Sequence, residues 1–130
     1  MEREMPTVDE FSHWLEGYRQ AFIAFDAEAA GELFSEDATY QDSPYADPVV
    51  GRVATAAYWR MVAELMSDVE IECEVVAVSG DVGVAHLRDA LTRVSSGTRA
   101  RYDGIFVVRF DRDGRSIDFR EWWVQEPRGR

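Results

Sequence analysis

Cysteine, histidine, basic residues and long apolar runs are all scarce in this chain, and each shortage removes a class of function. Cys73 is the only cysteine, so no internal disulfide can form, and the composition reads as that of a cytoplasmic protein. His13 and His86 stand far apart, which gives no metal-ligand spacing; neither a metal nor a cofactor is expected. The 14 Lys and Arg residues face 25 Asp and Glu, a formal net charge of −11, which disfavours nucleic acid and anionic membranes as partners. No apolar stretch approaches the roughly 20 residues needed to span a bilayer. The opening Met1–Pro6 lacks the basic-then-apolar order of a signal peptide. Phosphate loops and dinucleotide glycine fingerprints are also missing.

What is present suits a single domain, 1–130, with generous Trp, Tyr and Phe content and one core. Thr7 or Asp9 can cap a helix, with Glu10 completing a capping-box pattern after Thr7. Phe11, Trp14, Leu15, Tyr18, Phe22 and Phe25 then recur every three or four residues, which predicts one buried helical face. Asp26 caps a shorter helix over Ala27–Phe34, and the alternation in Ala38–Asp42 predicts a short strand. Pro44, Pro48 and Gly51 mark a loop, and Val53–Met66 reads as a third helix. The period then changes to two. Val69–Ser79, Val82–Val94, Thr98–Asp111 and Ser116–Glu126 read as strands, joined by turns at Ser79-Gly80-Asp81, Ser95-Ser96-Gly97 and Arg112-Asp113-Gly114. The tail Pro127–Arg130 is expected to fray. The fold class is therefore α+β: a curved antiparallel sheet covered on one face by three N-terminal helices.

Alternation along the strands assigns faces. Tyr102, Gly104, Phe106, Val108 and Phe110 form one inward set, Ile117, Phe119, Glu121 and Trp123 a second, and Ala85, Leu87, Asp89 and Leu91 a third. Two carboxylates, Glu121 and Asp89, thus point into an apolar interior, where each must be paired, protonated or in contact with a cavity. A bulge that slips the register would instead turn one of them outward. The opposite face carries Val107, Trp122 and Val124 among Arg99, Arg101, Arg109 and Arg120, which suggests a homodimer through the sheet. His13, His86 and the acids Glu70, Glu72 and Glu74 fall on solvent-facing positions, and Cys73 reads as a small buried hydrophobe.

This order of elements, with Asp42 closing the first strand, resembles the nuclear-transport-factor-like cone fold, also called cystatin-like or SnoaL-like. That superfamily includes ketosteroid isomerases, scytalone dehydratase, limonene epoxide hydrolase and SnoaL-type polyketide cyclases. The similarity spans nearly the whole chain. Its sharpest part is to ketosteroid isomerase: Tyr18 through Asp42 aligns without a gap, and Asp37-Ala38-Thr39, Gly51-Arg52, Tyr58-Trp59, Arg109-Phe110-Asp111 and Gly114-Arg115 fall in matching places. The resemblance implies that Asp42 is a general base, that Tyr18 donates to a substrate oxyanion, and that Trp123 lines the pocket. It departs at Phe106, which stands where that family carries a second oxyanion-hole acid; Asp103 is three residues off and on the other face. Glu121 or Asp89 would then have to supply the acid.

The expected function is a small-molecule pocket protein, a cofactor-independent enzyme doing acid–base chemistry of isomerase, cyclase, dehydratase or hydrolase type on an apolar or polycyclic substrate. Asp42, Tyr18, Glu121 and Asp89 are the catalytic candidates. Trp14, Phe22, Tyr40, Tyr58, Trp59, Tyr102, Phe106 and Trp123 are the expected substrate-binding walls. Each has a plainer reading, Asp42 as a turn-closing residue beside Ser43-Pro44 and the aromatics as core. A non-catalytic binding module for an apolar metabolite is the alternative function, and a purely structural dimerisation domain the third.

Overall fold

Helix α1 (Val8–Ala24) starts where the capping box stands. The Thr7 hydroxyl accepts from the Glu10 amide, and the Thr7 amide donates to Glu10 Oε1, both at 3.1 Å. The computed structural model describes residues 6–127, so most of the tail expected to fray lies outside the described residues. Along α1 the stripe Phe11, Trp14, Leu15, Tyr18 and Ala21 is buried, and the helix ends on Phe25 in the left-handed conformation at φ 54°. Asp26 then caps α2 (Ala27–Glu32) by accepting from the Ala29 amide at 3.0 Å.

Strand β1 (Phe34–Gln41) begins four residues earlier than alternation suggests. An irregularity between Phe34 and Thr39 hides its first half from a period-two reading, because Ser35, Glu36 and Asp37 face out while Phe34 and Ala38 are buried. A two-residue strand, β2 (Val49–Val50), pairs antiparallel with β1. Helix α3 (Arg52–Ala63) stops short of the expected Met66, which instead opens β3 (Met66–Ser79) opposite Arg93. Strands β4 (Val82–Arg93), β5 (Arg99–Phe110) and β6 (Ser116–Gln125) complete the meander within a residue or two of the expected limits.

The six strands form one sheet in the order β2-β1-β6-β5-β4-β3. Every neighbouring pair is antiparallel except β1–β6, which is parallel. Breaks in the ladder at Ser67/Glu70, Val75/Ala77 and Arg109/Phe110 bend the strands, so the sheet curves without closing. Two glycines permit close approaches. A Cβ on Gly83 would lie 2.6 Å from the Phe11 ring, and one on Gly104 would lie 2.3 Å from the Trp122 carbonyl oxygen. The core, centred on Phe11, Phe34, Phe106, Val108 and Phe119, fills one end of the concavity between α1 and the sheet.

Candidate functional site

The other end of the concavity stays open as a cavity of about 280 Å³. Helices α1 and α3 give Tyr18, Phe22, Tyr58 and Trp59 to its walls; the strands give Tyr40, Ile71, Leu87, Tyr102 and Trp123. Asp42, Asp89 and Glu121 line it together. All three acids stand at inward positions of β-strand alternation or just past a strand end, and no register shift turns one away.

Asp42 follows β1 directly. Its carboxylate accepts a 2.6 Å hydrogen bond from the Tyr58 hydroxyl, and its backbone oxygen accepts from Trp123 Nε1 at 2.7 Å. The loop behind it is closed by its neighbour instead, Gln41 Nε2 donating to the Ala46 oxygen at 2.8 Å. A donor on the carboxylate fixes its direction.

Glu121 on β6 is directly opposite Phe106 on β5. Burial, then the negative charges of Asp89 and Asp42, hold its carboxyl well above the ordinary range. Burial alone pushes Asp89 up to about 6. Asp89 Oδ1 and Trp59 Nε1 are both buried without a hydrogen-bond partner among the described residues. Such atoms are costly to leave unsatisfied, which makes them natural contact points for a polar ligand group.

Tyr18 is buried at 2% exposure. Its ring packs edge-on to Trp59 and Phe106 at 5.3 and 5.0 Å. Burial first, then the nearby Tyr40, raises the Tyr18 phenol well above its usual value, so it is a neutral donor. The same holds for Tyr40, and burial with the Asp42 contact raises Tyr58.

Of the twelve candidate side chains, ten line the cavity; Trp14 and Phe106 do not. Trp14 packs against Phe34 and Phe110 and donates Nε1 to the Leu33 oxygen at 3.1 Å, at the filled end of the concavity. Phe106 is fully buried against Phe119 and Tyr18, beneath the cavity floor. Residues outside the site candidates also line it, chiefly Phe25, Val62, Met66 and Arg93. Arg93 continues the inward set of Leu87, Asp89 and Leu91 by one more step of two.

Away from the cavity, Cys73 is half-buried and burial pushes its thiol up to about 12, which leaves it unreactive. His86 faces outward between Glu74 and Asp103, at 3.1 and 2.7 Å. Trp122 and Val124 are exposed on the outer sheet face, 42% and 72%. No helix among the described residues is long and apolar enough to cross a membrane.

A family model described as the SnoaL-like domain matches residues 15–119. No curated protein matches the sequence. Among solved structures, the chain is similar to SalBIII, an epoxide hydrolase/cyclase-like enzyme in pyran ring formation in the polyether salinomycin. The two share 22% identity with a TM-score of 0.78, covering 89% of this chain and 92% of that one. A ketosteroid isomerase-like protein from Erwinia carotovora atroseptica SCRI1043 gives 22% identity and a TM-score of 0.72 over 92% of this chain and 97% of that one. A Bacillus subtilis protein gives 20% identity and 0.78 over 92% and 90%. At these identities the likeness establishes the fold.

Proposed function

The chain belongs to the SnoaL-like domain family, and from that premise we propose that it is a cofactor-independent acid–base enzyme acting on an apolar or polycyclic substrate. Asp42 is the base, and Glu121 is the neutral acid that donates to, or hydrogen-bonds with, the oxygen where charge develops. The observation that carries this reading is the pairing of environments in one cavity. Asp42 is hydrogen-bonded by Tyr58, while Glu121 is buried and pressed by two like charges. A carboxylate held in place by a donor, beside a carboxyl whose surroundings keep its proton, is what base and acid roles require. Asp89, raised to about 6, serves as a second acid or proton relay. Tyr18 and Tyr40 stand on the same wall as neutral phenols.

Isomerisation, cyclisation, dehydration and hydrolysis all use this equipment, and the fold does not choose among them. The test begins with the acids themselves. In carboxyl-labelled protein, Glu121 and Asp89 are expected to titrate above the ordinary carboxylate range by NMR. Ordinary values for both would remove the acid and with it the mechanism. With a β,γ-unsaturated cyclic ketone or an aryl epoxide as trial substrate, Asp42→Asn is expected to lower kcat by about a hundred- to ten-thousand-fold with binding retained.

Phe106 favours a second reading, a binding module that holds an apolar metabolite unchanged. Its ring occupies the position of an acid in the isomerases that the sequence resembles, and it is sealed in the core. A ligand that co-purifies and is recovered intact after long incubation supports this alternative. In either reading the protein forms a two-fold homodimer through the outer sheet face around Trp122 and Val124. Light scattering tests this, with Trp122→Glu expected to yield a monomer. The composition argues for the cytoplasm as its compartment.

A further inference from the structure

Arg93 is the one cation on the wall of a cavity that carries three carboxylates, and it pairs with none of them among the described residues. Its Nη2 donates to the Tyr102 hydroxyl and, at 3.2 Å, to Gln125 Oε1. Both acceptors are neutral, so they orient the guanidinium without cancelling its charge. Nε and Nη1 keep three N–H groups with no acceptor from the described residues. A half-buried arginine in an acidic protein of net charge −11 is normally neutralised by a neighbour; here it is held in place and left charged.

Its position relative to the acids is set by two rings. Tyr102 meets Trp123 edge-on at 5.2 Å, and Trp123 donates to the Asp42 backbone at 2.7 Å. The cation and the reacting end are therefore separated by two aromatic rings set at right angles. From this we infer that the cavity takes a substrate with a carboxylate at one end, held by the Arg93 guanidinium, and an apolar ring system lying along Tyr102 and Trp123. A carboxylate accepts a charge-assisted bond from the free Nε–H or Nη1–H groups that is about twice as strong as the bond a neutral oxygen accepts. Arg93 is then the specificity-determining residue of the site. The inference rests on the cavity being a small-molecule site as proposed above, but not on which chemistry follows.

The test uses naphthalene-2-carboxylate and its neutral isostere naphthalene-2-carboxamide as probes, with Kd measured calorimetrically at pH 7.5 on the folded full chain. The wild-type protein is expected to bind the carboxylate about tenfold tighter than the amide, the gain from one charge-assisted contact. Arg93→Gln is expected to bind both alike, and Arg93→Lys to keep part of the preference. Equal binding by the wild type, binding of neither probe, or a preference that survives in Arg93→Gln each overturns the inference. The wild-type comparison alone decides the matter if a variant does not fold. Asp42→Asn is expected to keep the carboxylate preference, so loss of the proposed chemistry and loss of anion recognition are read separately.

Discussion

Asp89→Asn should make this protein more stable, and increasingly so as pH rises. In the unfolded chain the Asp89 carboxyl loses its proton near 3.8; in the folded protein burial delays that until about 6. Between those values the unfolded state has released a proton that the folded state still holds, so stability falls as pH rises through the window. Above pH 6 the full cost is present, and below about 3.8 there is none. A rise from 3.8 to about 6 corresponds to roughly 3 kcal/mol. The charge of Asp89 also helps to raise Glu121, so removing it relieves a second group in the same direction. Urea unfolding followed by tryptophan fluorescence, at fixed protein concentration, measures the variant against wild type at pH 4 and pH 8. The advantage of Asn over Asp should grow between these two values by about 2–3 kcal/mol. Any constant cost of the amide itself cancels in that comparison. A difference independent of pH, or one that turns against Asn as pH rises, would refute the claim that Asp89 is buried without a compensating partner.

Other perturbations probe the frame around the site. Tyr58→Phe removes the donor on the Asp42 carboxylate, and about a ten- to hundred-fold loss in kcat/KM is expected, carried by kcat rather than KM, in steady-state assays of any turned-over substrate. Gly83→Ala sets a Cβ 2.6–2.7 Å from three atoms of the Phe11 ring, so chemical denaturation should register a loss of about 1–3 kcal/mol. Adding Phe11→Leu to that variant should recover part of the loss, a coupling that a double-mutant cycle detects. On the outer face, hydrogen bonds donated to Asp103 and then Glu74 raise His86 above 6.5. Its contribution to stability is present below 6.5 and lost as pH rises through the folded value. NMR titration should place His86 above 6.5, and His86→Gln should flatten the pH dependence of stability in that range.

How far these features could be read in the sequence depended on how local their causes are. Helix α1 was legible because Thr7 and Glu10 mark its start and its stripe repeats every three or four residues. The β3–β6 meander was legible from alternation between short turns. The first half of β1 was not, since its irregular pairing breaks the period, and β2 leaves no periodic trace in two residues. The parallel β1–β6 pairing joins segments about eighty residues apart and has no local signature. Alternation also placed Asp89 and Glu121 on the inner face. It does not report depth along the cone, so Phe106 and Trp14 were expected on the walls although they belong to the filled end. Arg93 obeys the same alternation as Asp89, but nothing local distinguishes it from a solvent-facing arginine near a strand end.

The register explains what Phe106 means for chemistry. Phe106 and Glu121 are direct partners across β5 and β6, so their side chains leave the sheet about 5 Å apart on the same face. An acid missing from β5 is thus replaced by one on the adjacent strand. Strand β6 also borders β1, where Gln41 pairs with Arg120, so Asp42 and Glu121 are the residues that directly follow the last pair of the parallel ladder. The shift carries the acid one strand spacing, about 4.8 Å, towards the base. In the proposed chemistry the two carboxyls therefore act on closely spaced atoms of the substrate rather than across a long fused ring system. Phe106→Asp tests this from the other side. It would return an acid to β5, yet it places that acid in a fully buried position, where an uncompensated polar group costs several kcal/mol. Paired with Glu121→Leu, such a variant should fold less stably and, where it folds, accept acid–base separations one strand wider; unchanged substrate preference would show that Glu121 is not the acid.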